Sequence, residues 1–319
     1  MTSFASLVPV AVPMDATAAL WVGSIDAADS RRYAAFVDPL YHRHLGPGTS
    51  GLVHVAADQV TAAGDRRPRG LALAMLASDG FEIVSLGAQD DTDGRVRQAL
   101  LQALARRCAA AGRPQGLYYA TYDADDVLTP GLLQGCGWRG PAVERLVVRA
   151  TTAAMLALPF LGAHGQPREG YAVVPWTVVD AAQRADLTAD LAALPPLQRR
   201  NIDPAGYEAR ALPALSLALL RGGRVVAWHL PCRIGLDTLS WTCSAVRPGH
   251  EGAVAILLLW RLALQRQQAL GIRRLAFTCD LFQDRFARFI CRRLPPAIER
   301  LSLFARFDLP PVLTCQGNR

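Results

Sequence analysis

Residues 141–146 read PAVERL and residues 296–301 read PAIERL, the same six letters except for Val143 against Ile298. A repeat constrains the fold more than any local propensity, because a duplicated unit has to fold the same way twice. The flanking sequence carries the match further. Upstream of the first copy, RVRQALLQALARRCAAAG (95–112) has helical apolar spacing and ends on Gly112, and the short apolar run GLYYAT follows. Upstream of the second, AVAILLLWRLALQRQQALG (253–271) ends on Gly271 and is followed by LAFTC, the helix-like DRFARFICRRL and a break at Pro295 and Pro296. A glycine just past a helix supplies the left-handed conformation that closes it. Short apolar runs between breakers read as buried strands. The repeated unit is helix, glycine, strand, helix, turn, strand; the alternative is chance similarity between two generic stretches.

With 319 residues, the chain has room for two domains of this kind, expected at 1–155 and 165–319 with a linker over 150–170. The first half reads as strand ALWVGSI, a helix over DAADSRRYAAFVDPLYHRHL, a hairpin of GLVHVAA and LALAMLA, strand FEIVSLGA and then the repeated unit. The second reads as strand YAVVPWTVV, helix AAQRADLTADLAAL, a loop, a hairpin turning at RGGR, strand LDTLSWTCSAV and the repeated unit. The plan is α+β, with a mostly antiparallel sheet in each half.

Composition narrows the chemistry. All 34 basic residues are arginine, which excludes a Schiff-base lysine and a lysine-bearing phosphate loop. Cys108, Cys136, Cys232, Cys243, Cys279, Cys291 and Cys315 form no C-x-x-C pair, so the expectation is reduced thiols in a cytoplasm, with no metal site. No apolar run reaches the roughly 20 residues of a membrane span, and the N-terminus lacks the basic leader of a secretory signal. Net charge is −1 over 1–160 and +8 over 161–319, so a polyanion would favour the second half unless the arginines simply solvate helices.

The order of elements resembles tandem copies of the GNAT family of acyl-CoA N-acyltransferases. VRPGHEGAVAILLLW (246–260) resembles the family's cofactor segment V-x-P-x-Y-R-G-x-G-x-G, with Val246, Pro248 and Gly252 matching and His250 in the aromatic slot. LLQGCGW (132–138) resembles the later L-Y-x-x-x-G-F, with Gly137 and Trp138 in the last two places. The sequence departs from the pattern at Glu251 and Val254, and the tyrosine slot holds Leu133 in one copy and Ile290 in the other. In the first copy the equivalent loop, GAQDDTDGR, carries Asp90, Asp91 and Asp93; acids there suit a helix N-terminus and repel a pyrophosphate.

The resemblance implies that the second copy binds acetyl-CoA or another acyl-CoA through Val246, Arg247, Gly249, His250, Gly252 and Ala253. Helix N–H groups face the pyrophosphate there, with glycines allowing close approach and Arg247 and His250 adding charge. Acyl transfer to an amine further needs a base, donors for the oxyanion and an acid for the thiolate. His229, in VVAWHLP, and Asp280, after LAFTC, are the catalytic candidates. Their alternatives are a core histidine and a helix cap. Cys279 and Cys291 read as proton donors or small buried hydrophobes, Trp241 as core, and Tyr41, His42 and His44 as an acceptor pocket or an exposed helix end. Tyr118, Tyr119 and Tyr122 are expected around the opening of the first sheet. Arg285, Arg288 and Arg292 form one face of a helix whose other face carries Phe286, Phe289 and Ile290. The expected function is acyl transfer to a small-molecule amine without a membrane. An aminoacyl-tRNA-dependent transferase, with tRNA as a partner, and a non-catalytic ligand- or partner-binding protein are the alternatives.

Overall fold

The computed structural model describes residues 10–15, 18–25, 29–37, 41, 42, 45, 52–89, 91–162, 167, 169–199, 201–250 and 254–311. The chain forms two compact units. The first runs to Glu144 and takes in the chain from Phe304 onward; the second is Arg145–Leu303.

In the first unit β1 (Val10–Asp15), β2 (Ala18–Ser24), β3 (Leu52–Thr61), β4 (Arg66–Leu76) and β5 (Gly80–Ala88) form an antiparallel meander. Helix α1 (Arg95–Ala110) then crosses back to β6 (Gln115–Asp123), which lies parallel to β5. Val96, Leu100, Leu101, Leu104 and Cys108 recur at three- and four-residue intervals along α1 and are buried, the stripe a core-facing helix requires. The short α2 (Leu128–Gly135) leads into β7 (Arg139–Thr151). In the described part of the expected first-half helix, Ser30–Phe36 is a 3₁₀ turn and Val37 after it is extended.

The second unit repeats the plan. Two short helices, α3 (Thr152–Leu156) and α4 (Pro159–Gly162), replace the expected linker, because Met155, Leu158 and Leu161 are buried in this unit's core. Next come β8 (Tyr171–Pro175), α5 (Ala181–Ala192), α6 (Pro196–Arg199), β9 (Leu217–Arg221), β10 (Arg224–Arg233) and β11 (Thr238–Val246). Strands β8 to β11 are antiparallel neighbours. Helix α7 (Val254–Ala269) returns the chain to β12 (Arg274–Asp280), parallel to β11, and α8 (Asp284–Arg293) precedes β13 (Ile298–Leu309). Asp180 opens α5 with a capping box: it accepts from the Gln183 backbone while the Gln183 side chain accepts from the Asp180 backbone.

Each unit closes with a strand that belongs to both. β7 enters the second unit at Arg145, and its residues Arg145–Thr151 pair antiparallel with β12. β13 returns to the first unit at Phe304, next to β6 in the strand order. Tyr119 stacks on Phe304 there at 5.3 Å between ring centroids, and Tyr122 lies 6.3 Å from Phe307.

The duplication extends to details of the backbone. Both α1 and α7 end in the same glycine-closed motif. Gly112 (φ +75°) and Gly271 (φ +69°) are left-handed, the Arg113 N–H donates to Cys108 O at 2.9 Å, and the Ile272 N–H donates to Gln267 O at 3.1 Å. Both strands that precede those helices carry one extra residue. Pairing shifts from Leu73↔Ser85 to Ala74↔Ile83 in β5, and from Leu230↔Cys243 to Cys232↔Ser240 in β11. Such a bulge bends and twists its strand. Parallel pairing stops at the bulge both times, at Ile83↔Tyr118 and at Ser240↔Ala276. Beyond that point the two strands continue without a ladder between them among the described residues.

Candidate functional site

In the second unit the parting of β11 from β12 opens a cavity of about 310 Å³. Trp241, Thr242, Ser244, Ala245 and Val246 of β11 form one wall, and Phe277 and Thr278 of β12 the other. Ile256 and Trp260 of α7, Gln283 and Phe286, and Asn201 and Ile202 complete it. Four aromatic rings therefore make most of the wall apolar, and the polar groups among them are placed. Trp260 Nε1 donates to Ser244 Oγ at 2.6 Å, Trp241 Nε1 donates to Gln267 Oε1 at 3.1 Å, and Gln267 Nε2 donates to Thr152 Oγ1 at 2.8 Å. Both indoles are held by these bonds. The β11 edge facing the cavity has no ladder partner among the described residues, so its amides and carbonyls can bind an extended molecule as a neighbouring strand would.

The residues singled out in the sequence fall into three groups. Val246 lines the cavity, and Gly249 (φ +80°) and half-buried His250 form the turn that follows it, with the His250 N–H donating to Arg247 O at 3.0 Å. Gly252 and Ala253 lie outside the described residues, as does Glu251. Arg247 serves elsewhere. Only 1% exposed, it donates from Nε to Asp190 and from Nη1 to Asp186 of α5, and Nη1 also reaches Val225 O. A guanidinium held by two carboxylates ties α5 to the sheet and has no charge left over for a phosphate.

His229 is fully buried on β10, directly opposite Ser244, with its ring edge-on to Trp241 at 4.4 Å. Neither ring nitrogen has a hydrogen-bond partner among the described residues. Desolvation pushes its pKa down to about 3, so the imidazole is neutral and only weakly basic near pH 7. Expected as a base, it instead packs behind the cavity wall. Asp280 ends β12, 5% exposed, and its carboxylate accepts from Arg145 Nε at 2.6 Å and from Asn201 Nδ2 at 2.9 Å. It does not cap α8 with its side chain, since Gln283 occupies the N-cap position.

Cys279 is buried and desolvation raises its thiol pKa to about 12, whereas Cys291 is exposed. α8 presents Arg285, Arg288 and Arg292 to solvent and packs Phe286, Phe289 and Ile290 on the core, as its spacing requires. His42 is exposed and its Nε2 lies 3.0 Å from Ala34 O and from Val37 O, so it closes a local turn; His44 is outside the described residues.

The matching place in the first unit is filled by the chain itself. The Asp91 carboxylate accepts from the Val96 N–H at 2.8 Å and the Arg97 N–H at 3.0 Å, occupying the anion position at the start of α1. Past the bulge, Gly87 lies so close to Phe36 that a Cβ there would stand 2.1 Å from the Phe36 carbonyl oxygen. Asp90 lies outside the described residues.

Sequence reasoning missed Asn201, Ile202, Trp260 and Phe277. Asn201 sits in a loop without a motif, and its partner Asp280 is 79 positions away. A tryptophan on each of two elements joined by one turn, Trp241 and Trp260, was the available signal.

No protein-family model matches this chain, and no curated protein matches it. Solved structures do. A GCN5-related N-acetyltransferase from Sphaerobacter thermophilus superposes with a TM-score of 0.57 at 16% identity, over 92% of this chain and 96% of that one. A tandem GNAT protein from the clavulanic acid biosynthesis pathway gives 0.52 at 12% identity, over 91% and 98%. A GNAT-family acetyltransferase from Colwellia psychrerythraea gives 0.52 at 10%, over 91% and 99%. The fold is the GNAT fold, in a chain that covers nearly the whole of these proteins.

Proposed function

We propose that this protein transfers an acyl group from an acyl-CoA to the amine of a small molecule, and that the second unit alone holds the donor. The observation that carries this reading is the cavity between the parted strands β11 and β12, which ends at the turn into α7. The arm of a CoA thioester is extended and uncharged and alternates amides with methylenes. The free β11 edge suits the amides, and Trp241, Trp260, Phe277 and Phe286 suit the methylenes. Val246, Gly249 and His250 stand where the arm would leave for the pyrophosphate; Gly252 and Ala253, outside the described residues, are further donor contacts that the sequence resemblance implies. Arg247 acts by holding α5, His229 by packing behind Trp241, and Asp280 by fixing a side chain of the cavity wall.

When bound, the donor supplies a thioester carbonyl, which the amine nitrogen attacks. The chain's part is to hold both reactants in one ordered site, so that their orientation lowers the barrier to attack. Asp91 and Phe36 close the equivalent place in the first unit, which favours a single donor site per chain.

Thermal-shift titration with CoA, acetyl-CoA and longer acyl-CoAs tests the reading. Binding to the folded state raises stability with ligand concentration, by about 2.7 kcal/mol at a hundredfold excess over Kd. The wild type should show this rise and a Ser244→Trp variant, which fills the cavity, should lose it. Absence of any shift up to millimolar ligand would overturn the reading.

A further inference from the structure

Arg145 of β7, Asp280 of β12 and Asn201 of the loop after α6 form a polar chain that ends at the cavity wall. An ionised carboxylate only accepts hydrogen bonds, so the Asn201 amide must turn its NH₂ group toward Asp280. That fixes which way the amide faces. One N–H and the oxygen Oδ1 are left without a hydrogen bond among the described residues. Donation to a carboxylate draws electron density toward Oδ1 and makes it the stronger acceptor.

The loop is anchored so that this orientation persists. Trp228 Nε1 donates to Ile202 O at 2.8 Å, the Asp203 N–H donates to Arg199 O at 2.9 Å, and the Ala205 N–H donates to the Asp203 carboxylate at 3.1 Å. Asn201 and Ile202 are also the cavity residues that come from outside the β11–α8 segment, so the polar chain reaches the cavity through a loop separate from the donor wall. A polarised acceptor on a mostly apolar wall calls for a donor from the ligand.

We propose that Asn201 Oδ1 receives an N–H of the acceptor amine, and that Asp280 and Arg145 are positioning residues for it; this rests on the acyl-transfer reading above. The amine is thereby held with its lone pair free to attack. Its nitrogen forms a C–N bond to the thioester carbon, the C–S bond breaks, the pair leaves on the CoA sulfur, and the proton lost by nitrogen passes through solvent to that thiolate. Asn201 holds the amine and takes no proton.

The test follows thiol release from acetyl-CoA by the full chain, above the enzyme-free rate, with hydroxylamine and a panel of primary amines as acceptors. Acetyl-CoA binding is read separately by thermal shift. Asn201→Ala should lower kcat/KM for the amine about tenfold, mainly through KM, with acetyl-CoA binding within twofold of wild type. Asp280→Asn should give a smaller loss with the same pattern, because the amide is then oriented only weakly. Unchanged amine kinetics in Asn201→Ala, equal loss of acetyl-CoA binding, or a wild type that binds acetyl-CoA but acylates none of the amines would overturn the assignment. A wild type that binds no acyl-CoA and releases no thiol would overturn the acyl-transfer reading beneath it.

Discussion

A fully buried imidazole without a hydrogen bond is costly, and His229 shows the cost as a pH dependence. Its pKa is about 3 in the folded chain against roughly 6.5 when unfolded, so unfolding takes up a proton between those values. A group depressed in this way stabilises the fold fully above the unfolded pKa and loses that contribution as pH falls, by about 1.4 kcal/mol per unit. His229→Leu removes the titration and an unsatisfied polar group together. Its advantage over wild type in urea unfolding should therefore grow by about 2 kcal/mol between pH 7.5 and pH 5. A constant advantage at both pH values would mean that the imidazole has a partner when folded.

At the level of elements, the start of α1 carries the clearest expectation. Asp91 satisfies two backbone N–H groups and accepts from Arg97 Nε at 3.0 Å. Asp91→Ala should cost about 1–2 kcal/mol and speed hydrogen exchange at Val96 and Arg97, while leaving acyl-CoA binding by the second unit unchanged. The acids of GAQDDTDGR pointed to this role in advance, because a carboxylate before a helix has a local partner. Gly112 and Gly271 were equally legible, since helix closure is a local event. The bulges in β5 and β11 were not. An extra residue in one strand is defined only against its neighbour, and neither Val84 nor Trp241 differs in type from an ordinary strand residue. The cavity follows from the bulge, so its lining was hidden with it. Arg247 was misread for a related reason: a cation in a loop looks available until α5 brings Asp186 and Asp190 against it.

For the molecule as a whole, the repeat in PAVERL and PAIERL marks the segments in which each half lends a strand to the other. The sequence announced two similar units but not this exchange, because nothing local to Arg145–Thr151 or Phe304–Leu309 says which sheet the strand joins. A fragment ending at Glu144 lacks Phe304–Leu309, leaving Tyr119 and Tyr122 without their ring partners and the edge of β6 open. It should aggregate and show no cooperative urea transition, whereas the full chain unfolds cooperatively; a sharp transition in the fragment would contradict the exchange. The same arrangement sets a timetable for biosynthesis. At a translation rate of about 5–20 residues per second, the ribosome needs roughly ten to thirty seconds to add Arg145–Leu303 before the strand that completes the first unit emerges. For that interval the nascent first unit presents an unfinished sheet to the cell, so slower growth and abundant chaperone should raise the yield of this protein more than its finished stability would suggest.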